Sequence, residues 1–248
     1  MRPLLSILVV LLITSSSHSV LGQKVTKETF RFQDKDRSYY VYVPEGLKKE
    51  SPAPMIVMLH GSGRNGLSLV DKWRDLAKAE GIILVGPDSS NSQSWQIPQD
   101  APDLLYELVE YLRIKYPVNS RRIYLFGHSA GAVAALYLSL LESEYFAATA
   151  VHAGALRSDD GPFIERAKRK IPISIFVGTN DSSFPLSVVR ATHDALNTRG
   201  FKPELHEIKG HNHWYYDRAP EINKSAWTFL KAHELGADPK YERYNWAK

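Results

Sequence analysis

Ile123-Tyr124-Leu125-Phe126-Gly127-His128-Ser129-Ala130-Gly131-Ala132 reads as a buried strand, a tight turn and the first turn of a helix. The apolar run Ile123 to Phe126 has no polar alternation, as in a strand covered on both faces. From Ala132 to Leu141 the chain is again almost wholly apolar, long enough for a buried helix. Between them stands Gly-x-Ser-x-Gly. A turn this tight needs small residues at its flanks, and it leaves the Ser129 hydroxyl exposed above the sheet edge. A serine so placed is a candidate nucleophile. It needs a base to take its proton and a carboxylate to orient that base.

Working outward, other apolar runs resemble the first. Pro54 to Leu59, Ile82 to Val85, Ala148 to Val151 and Ile173 to Val177 are further buried strands, and Leu205 to Ile208 is a weaker one. Lys27 to Phe32 and Arg37 to Val43 flank the turn-like Asp34-Lys35-Asp36 and predict an antiparallel opening pair. Helical spacing appears at Leu104, Leu105, Leu108, Val109 and Leu112. It recurs from Val188 to Thr198 before Gly200, and at Ile222, Ala226, Trp227, Phe229 and Leu230. Strands alternating with helices predict an α/β fold with a mostly parallel central sheet and helices on both faces.

Sites of such sheets lie past the carboxyl ends of the strands, and three more loops there carry suitable residues. Asp181 in Gly178-Thr179-Asn180-Asp181 is the candidate orienting carboxylate. Asp159 and Asp160 also follow Ser129, but no strand leads into them. The candidate base is His213 in Gly210-His211-Asn212-His213-Trp214-Tyr215-Tyr216, with His211 as the alternative. Only one of these two imidazoles is expected to face Ser129. His152 precedes Asp181 and breaks the order Ser…Asp…His. His-x-His also suggests zinc, but the additional Asp-His that a metal hydrolase would want does not follow, so no metal is expected. His60-Gly61-Ser62-Gly63 follows the first long buried strand. An oxyanion hole is expected from the N–H of Ala130 and the N–H of Ser62, beside Gly61. Trp95 and Trp214 are candidate walls of a substrate pocket.

The chain has 248 residues, 44% hydrophobic and 23% charged, with a net charge of +4 and no cysteine. It is long enough to bury a large core. The small, dispersed basic excess gives little support to nucleic-acid binding. Without cysteine there is no disulfide framework, thiolate nucleophile or Cys-ligated zinc. Arg2, the apolar stretch Leu4 to Ile13 and the small residues around Val20-Leu21-Gly22 form a signal-peptide pattern. The apolar run is about ten residues, half the roughly twenty that span a bilayer. Cleavage is expected after Gly22, with Ser19 as the alternative, giving a secreted or periplasmic protein without stable membrane association. The expected organisation is residues 1–22 as signal peptide, 23–236 as one catalytic domain and 237–248 as a tail.

The order and spacing of His60-Gly61, Gly127-His128-Ser129-Ala130-Gly131, Gly178-Thr179-Asn180-Asp181 and the final histidine loop resemble the α/β-hydrolase superfamily. Within it the chain looks similar to secreted esterases grouped with polyhydroxybutyrate depolymerases, feruloyl esterases and the esterase D (S-formylglutathione hydrolase) type. The opening Arg37-Ser38-Tyr39-Tyr40-Val41-Tyr42-Val43-Pro44 is similar to their first strand pair. The resemblance implies an α/β-hydrolase fold without a large lid and a serine esterase acting through an acyl-enzyme. It needs no cofactor, and its substrate is a small-molecule or polymeric ester. In the esterase D type the base precedes one residue and two tyrosines, matching His213-Trp214-Tyr215-Tyr216. In depolymerase-like members it follows a glycine, matching His211. A serine peptidase of the prolyl-oligopeptidase type, or a non-catalytic binding protein on the same fold, are the alternatives.

Overall fold

Alternation along the strands builds the molecule's two cores. The computed structural model describes residues 24–243. The expected signal peptide lies outside them, as do Tyr244 and Trp246. Eight strands form one sheet: β1 (Thr26–Phe32), β2 (Lys35–Tyr42), β3 (Ala53–Leu59), β4 (Ile83–Pro87), β5 (Val118–His128), β6 (Ala148–His152), β7 (Ile173–Gly178) and β8 (Glu204–Ile208). Their spatial order is β1-β2-β4-β3-β5-β6-β7-β8. β2 pairs antiparallel with β1 and β4, and β3 through β8 run parallel.

Successive side chains point to opposite faces of a sheet. Met55, Val57 and Leu59 of β3 therefore join Ile123 and Leu125 of β5 on one face, while Ile56 and Met58 join Tyr124 and Phe126 on the other. The first face is covered by α2 (Asp103–Lys115), α3 (Ala130–Leu141), the short α4 (Gly161–Glu165) and α5 (Leu186–Asn197). The second is covered by α1 (Leu67–Glu80) and α6 (Ala219–Leu230). α1 was not anticipated from the sequence. Its inward residues are Leu69, Val70, Trp73 and Ala77, and Trp73 packs edge-on against Phe126.

The start of the tail packs back. Tyr241 stacks on Tyr106 of α2 with ring centroids 3.9 Å apart, and its hydroxyl donates to Asp103. No large lid interrupts the alternation of elements. Among the described residues no helix is long and apolar enough to cross a membrane.

Strand register decides what meets at the sheet's carboxyl edge. Leu59 pairs with Gly127, His128 with His152, His152 with Phe176, and Gly178 with Ile208. The segments that follow, around residues 60, 129, 153, 180 and 211, emerge side by side.

Candidate active site

The turn between β5 and α3 puts Ser129 at φ 56° and ψ −120°, a conformation that side chains rarely adopt. Such backbone costs of order 1–3 kcal/mol and persists only where neighbours enforce it. Here the Ser129 N–H donates to His152 O at 3.0 Å, while Ser129 O accepts from Ala132 and Val133. The two flanking glycines are required by contact. A Cβ on Gly131 would lie 1.9 Å from Leu59 O, and one on Gly127 would lie 2.3 Å from Gly131 O. Strand and helix can approach this closely only without side chains there.

The Ser129 hydroxyl donates to His213 Nε2 at 2.9 Å, and His213 Nδ1–H donates to Asp181 Oδ2 at 2.9 Å. This tautomer follows from the carboxylate, which can only accept. The Asp181 side chain is wholly buried. Its Oδ1 accepts from the N–H groups of Ser183 and Phe184 at 2.9 and 2.8 Å. Phe184 also stacks on the His213 ring at 5.8 Å. His213 is thus fixed from two sides by the segment that follows β7.

His211 turns the other way. It is buried, and its Nε2 lies 3.2 Å from His152 Nε2. His152 Nδ1 in turn lies 3.1 Å from His128 Nδ1. The register pairing of His128 with His152 creates this row of three imidazoles beneath the turn. Burial holds His128 down to about 3 and His152 to about 2, with neighbouring imidazoles adding to the effect. Burial also lowers His211. Three neutral rings can pass donors to acceptors along the row. An added proton would set one donor against another.

Gly61 lies against the turn, since a Cβ there would come within 3.3 Å of Ser129 Cβ. Ser62 is anchored by its hydroxyl donating to Gln93 O at 2.8 Å. Ala130 is the first residue of α3, where backbone N–H groups have no partner within the helix. Trp95 is half-buried, and its indole N–H donates to His60 O at 2.9 Å. It therefore braces the loop that holds Gly61 and Ser62. Trp214 remains 42% exposed at the rim.

Two supports were not anticipated from the sequence. His60 is buried and accepts from the Ser89 N–H at 3.2 Å. Asp100, wholly buried, accepts from Arg37 at 2.6 Å, from Ser90 N–H at 2.7 Å and from Gln96 N–H at 2.9 Å. It thereby fixes the loop that carries Trp95. A sequence reading sees only an aspartate before Ala-Pro, and its partner lies 63 residues away. The remaining candidates stand apart. Asp159 pairs with Arg157, and Asp160 accepts from Tyr137. Of the other histidines, His206 stacks on Phe176 and His233 lies just past the end of α6. Among the described residues no group of three or more His, Asp or Glu side chains is arranged to hold a metal ion.

Comparison with known proteins finds relatives of this chain among ester hydrolases. Residues 82–233 match the family described as Phospholipase/Carboxylesterase. A bifunctional acetylxylan esterase/xylanase of Neocallimastix patriciarum is 28% identical over 166 residues, which is 64% of this chain, and the aligned part spans 23% of that relative's length. A ferulic acid esterase of Anaeromyces mucronatus superposes with a TM-score of 0.68 at 20% identity, over 85% of this chain and 91% of that one. An S-formylglutathione hydrolase of Agrobacterium tumefaciens superposes with a TM-score of 0.67 at 17% identity, over 86% and 95%. The fold is that of the α/β-hydrolases, and with more than half its length matched the chain belongs to the phospholipase/carboxylesterase family.

Proposed function

We propose that this chain is a secreted serine esterase that cleaves carboxylic esters through a covalent acyl-enzyme. The observation that carries the reading is the unbroken hydrogen-bonded path from Ser129 through His213 to Asp181. Ser129 Oγ attacks the ester carbonyl while its proton passes to His213 Nε2. Asp181 holds the imidazole in the tautomer that can accept this proton and stabilises the imidazolium formed. The carbonyl oxygen becomes an anion and takes hydrogen bonds from the N–H groups of Ala130 and Ser62, both preset by the backbone. When the tetrahedral centre collapses, the leaving alkoxide takes the proton from His213. Water then repeats the sequence on the acyl-enzyme, releasing the acid and restoring Ser129. Side chains and backbone amides of this chain handle every proton and charge, so the cycle calls for no metal or cofactor.

The relative named as an acetylxylan esterase/xylanase suggests an ester whose alcohol part is a polymer. The absence of a large lid over Ser129 suits such substrates, whose alcohol part must remain outside. Ser129→Ala tests the reading. It is expected to abolish fluorophosphonate labelling and to lower kcat on p-nitrophenyl acetate by about 10⁶-fold, as in the subtilisin precedent. Labelling retained in the variant would refute it. Export rests on the residue pattern from Arg2 to Gly22. Gln23 is expected as the first residue of the exported protein by N-terminal sequencing, and an intact Met1 would indicate an anchor instead.

A further inference from the structure

Arg64 is left unexplained by the cycle above, yet its side chain is held beside it. It follows Gly61-Ser62-Gly63 in the loop pressed against Ser129. Gly63 at φ 71° and the Arg64 N–H donating to Gly61 O at 3.2 Å turn the chain back on itself there. The guanidinium carbon lies 4.9 Å from the ring centroid of Trp214 and 5.1 Å from that of Tyr216. Trp214 directly follows His213, and the Tyr216 ring stands edge-on to His128 at 5.8 Å. Two rings of the loop that carries the candidate base therefore lie against this exposed cation.

The manner of holding matters. Aromatic contact does not use up hydrogen-bond capacity, so the guanidinium keeps its N–H donors free for an acceptor. Those donors have no acceptor among the described residues. Arg37, Arg113, Arg190 and Arg218 each sit against a carboxylate: Asp100, Glu110, Glu207 and Glu221. Arg64, like Arg122, Arg166 and Arg169, sits against none among the described residues, but it alone of these stands beside the loop that carries His213. An uncompensated, fork-shaped donor set beside the loop that carries His213 matches a planar two-oxygen anion. The exposed Trp214 beside it offers an apolar flank for the part of the substrate that carries the anion.

We infer that Arg64 forms a subsite for a carboxylate borne by the substrate close to its scissile ester, so that the preferred substrates are half-esters of dicarboxylic acids or esters of hydroxy-acids. This rests on the esterase reading and narrows it to a substrate class.

Two matched pairs test it and tell which half of the ester carries the anion. 4-Nitrophenyl hemiglutarate against 4-nitrophenyl valerate places the charge on the acyl part. 4-Acetoxybenzoate against 4-acetoxybenzamide places it on the leaving group. At low ionic strength, kcat/KM for the anionic member of one pair is expected to exceed that of its neutral twin by about tenfold, mainly through KM. The preference is expected to shrink in about 0.5 M salt, where exposed charges are screened. Arg64→Gln is expected to bring the ratio close to one, and Arg64→Lys to keep part of it. Ratios at or below one in both pairs, or a preference that Arg64→Gln leaves intact, would overturn the inference. If Arg64→Gln does not fold, the salt series on the wild-type protein decides, and a salt-insensitive preference overturns it. Refusal of the anionic esters by an enzyme active on the neutral ones removes this inference alone. Failure to hydrolyse any of the four, with no fluorophosphonate labelling, removes the esterase reading as well.

Discussion

His211 and His213 share one loop and differ in everything that decides chemistry. His213 stands half-open, hydrogen-bonded at one nitrogen to a carboxylate and at the other to a hydroxyl. His211 is buried, and its side chain is hydrogen-bonded to another imidazole. One ring has a group beside it that stabilises a positive charge, and the other belongs to a row that excludes one. Position within the hydrogen-bond network, rather than residue type, separates the imidazole proposed as proton carrier from its neighbour two residues away. The sharpest break of this comparison is kinetic. His213→Ala is expected to lose about as much kcat as Ser129→Ala, with the double variant hardly worse than either, because nucleophile and base act as one unit. His211→Gln is expected to lose no more than about tenfold, through a loosened loop, a small fraction of the loss expected at the base. Steady-state kinetics on p-nitrophenyl acetate, with circular dichroism to check folding, distinguishes the two, and comparable losses at both positions would dissolve the contrast.

A smaller effect sharpens the comparison from the buried side. His128 and His152 have their folded pKa values pushed well below those of an unfolded chain, to about 3 and about 2. Below about pH 6.5 the unfolded state binds protons that the folded state refuses. Stability is then fully present above that pH and falls as the solution is acidified towards the folded values. Each such histidine contributes a slope of up to about 1.4 kcal/mol per pH unit in this window. His152→Gln, which can still donate and accept but does not titrate, is expected to flatten the dependence by up to that amount. Urea unfolding at pH 7, 6 and 5 measures it. An unchanged slope would mean that the row is relieved of its charge some other way.

The legibility of this site divides along the same line. Short-range chemistry was readable. Gly127-His128-Ser129-Ala130-Gly131 announces its turn because the glycines are demanded by contacts within the turn itself and with the adjoining strand. Unbroken apolar runs between helical stretches likewise announced the sheet. What depended on register was not readable. The meeting of His128 with His152 needs β5 and β6 aligned to the residue, and the grip of Asp100 on the Trp95 loop needs Arg37 brought from β2. The choice between His211 and His213 stayed open for the same reason, since which imidazole faces the serine depends on how the loop leaves β8. α1 is a different case. Leu69, Val70, Trp73 and Ala77 do carry helical spacing, but they are separated by Asp71, Lys72, Arg74, Asp75 and Lys78, which dilute the apolar signal.

The same strand order has a bearing on synthesis. Ser129 leaves the ribosome first, Asp181 follows on the far side of β7, and His213 comes 84 residues after the serine, behind the outermost strand β8. Domains tend to assemble from the amino terminus as they emerge. A nascent chain can therefore lay down most of its sheet while the serine still has no base, and the hydroxyl gains its partner only when the last strand docks. If Ser129 is the nucleophile proposed above, it would stay without its base until that last strand docks.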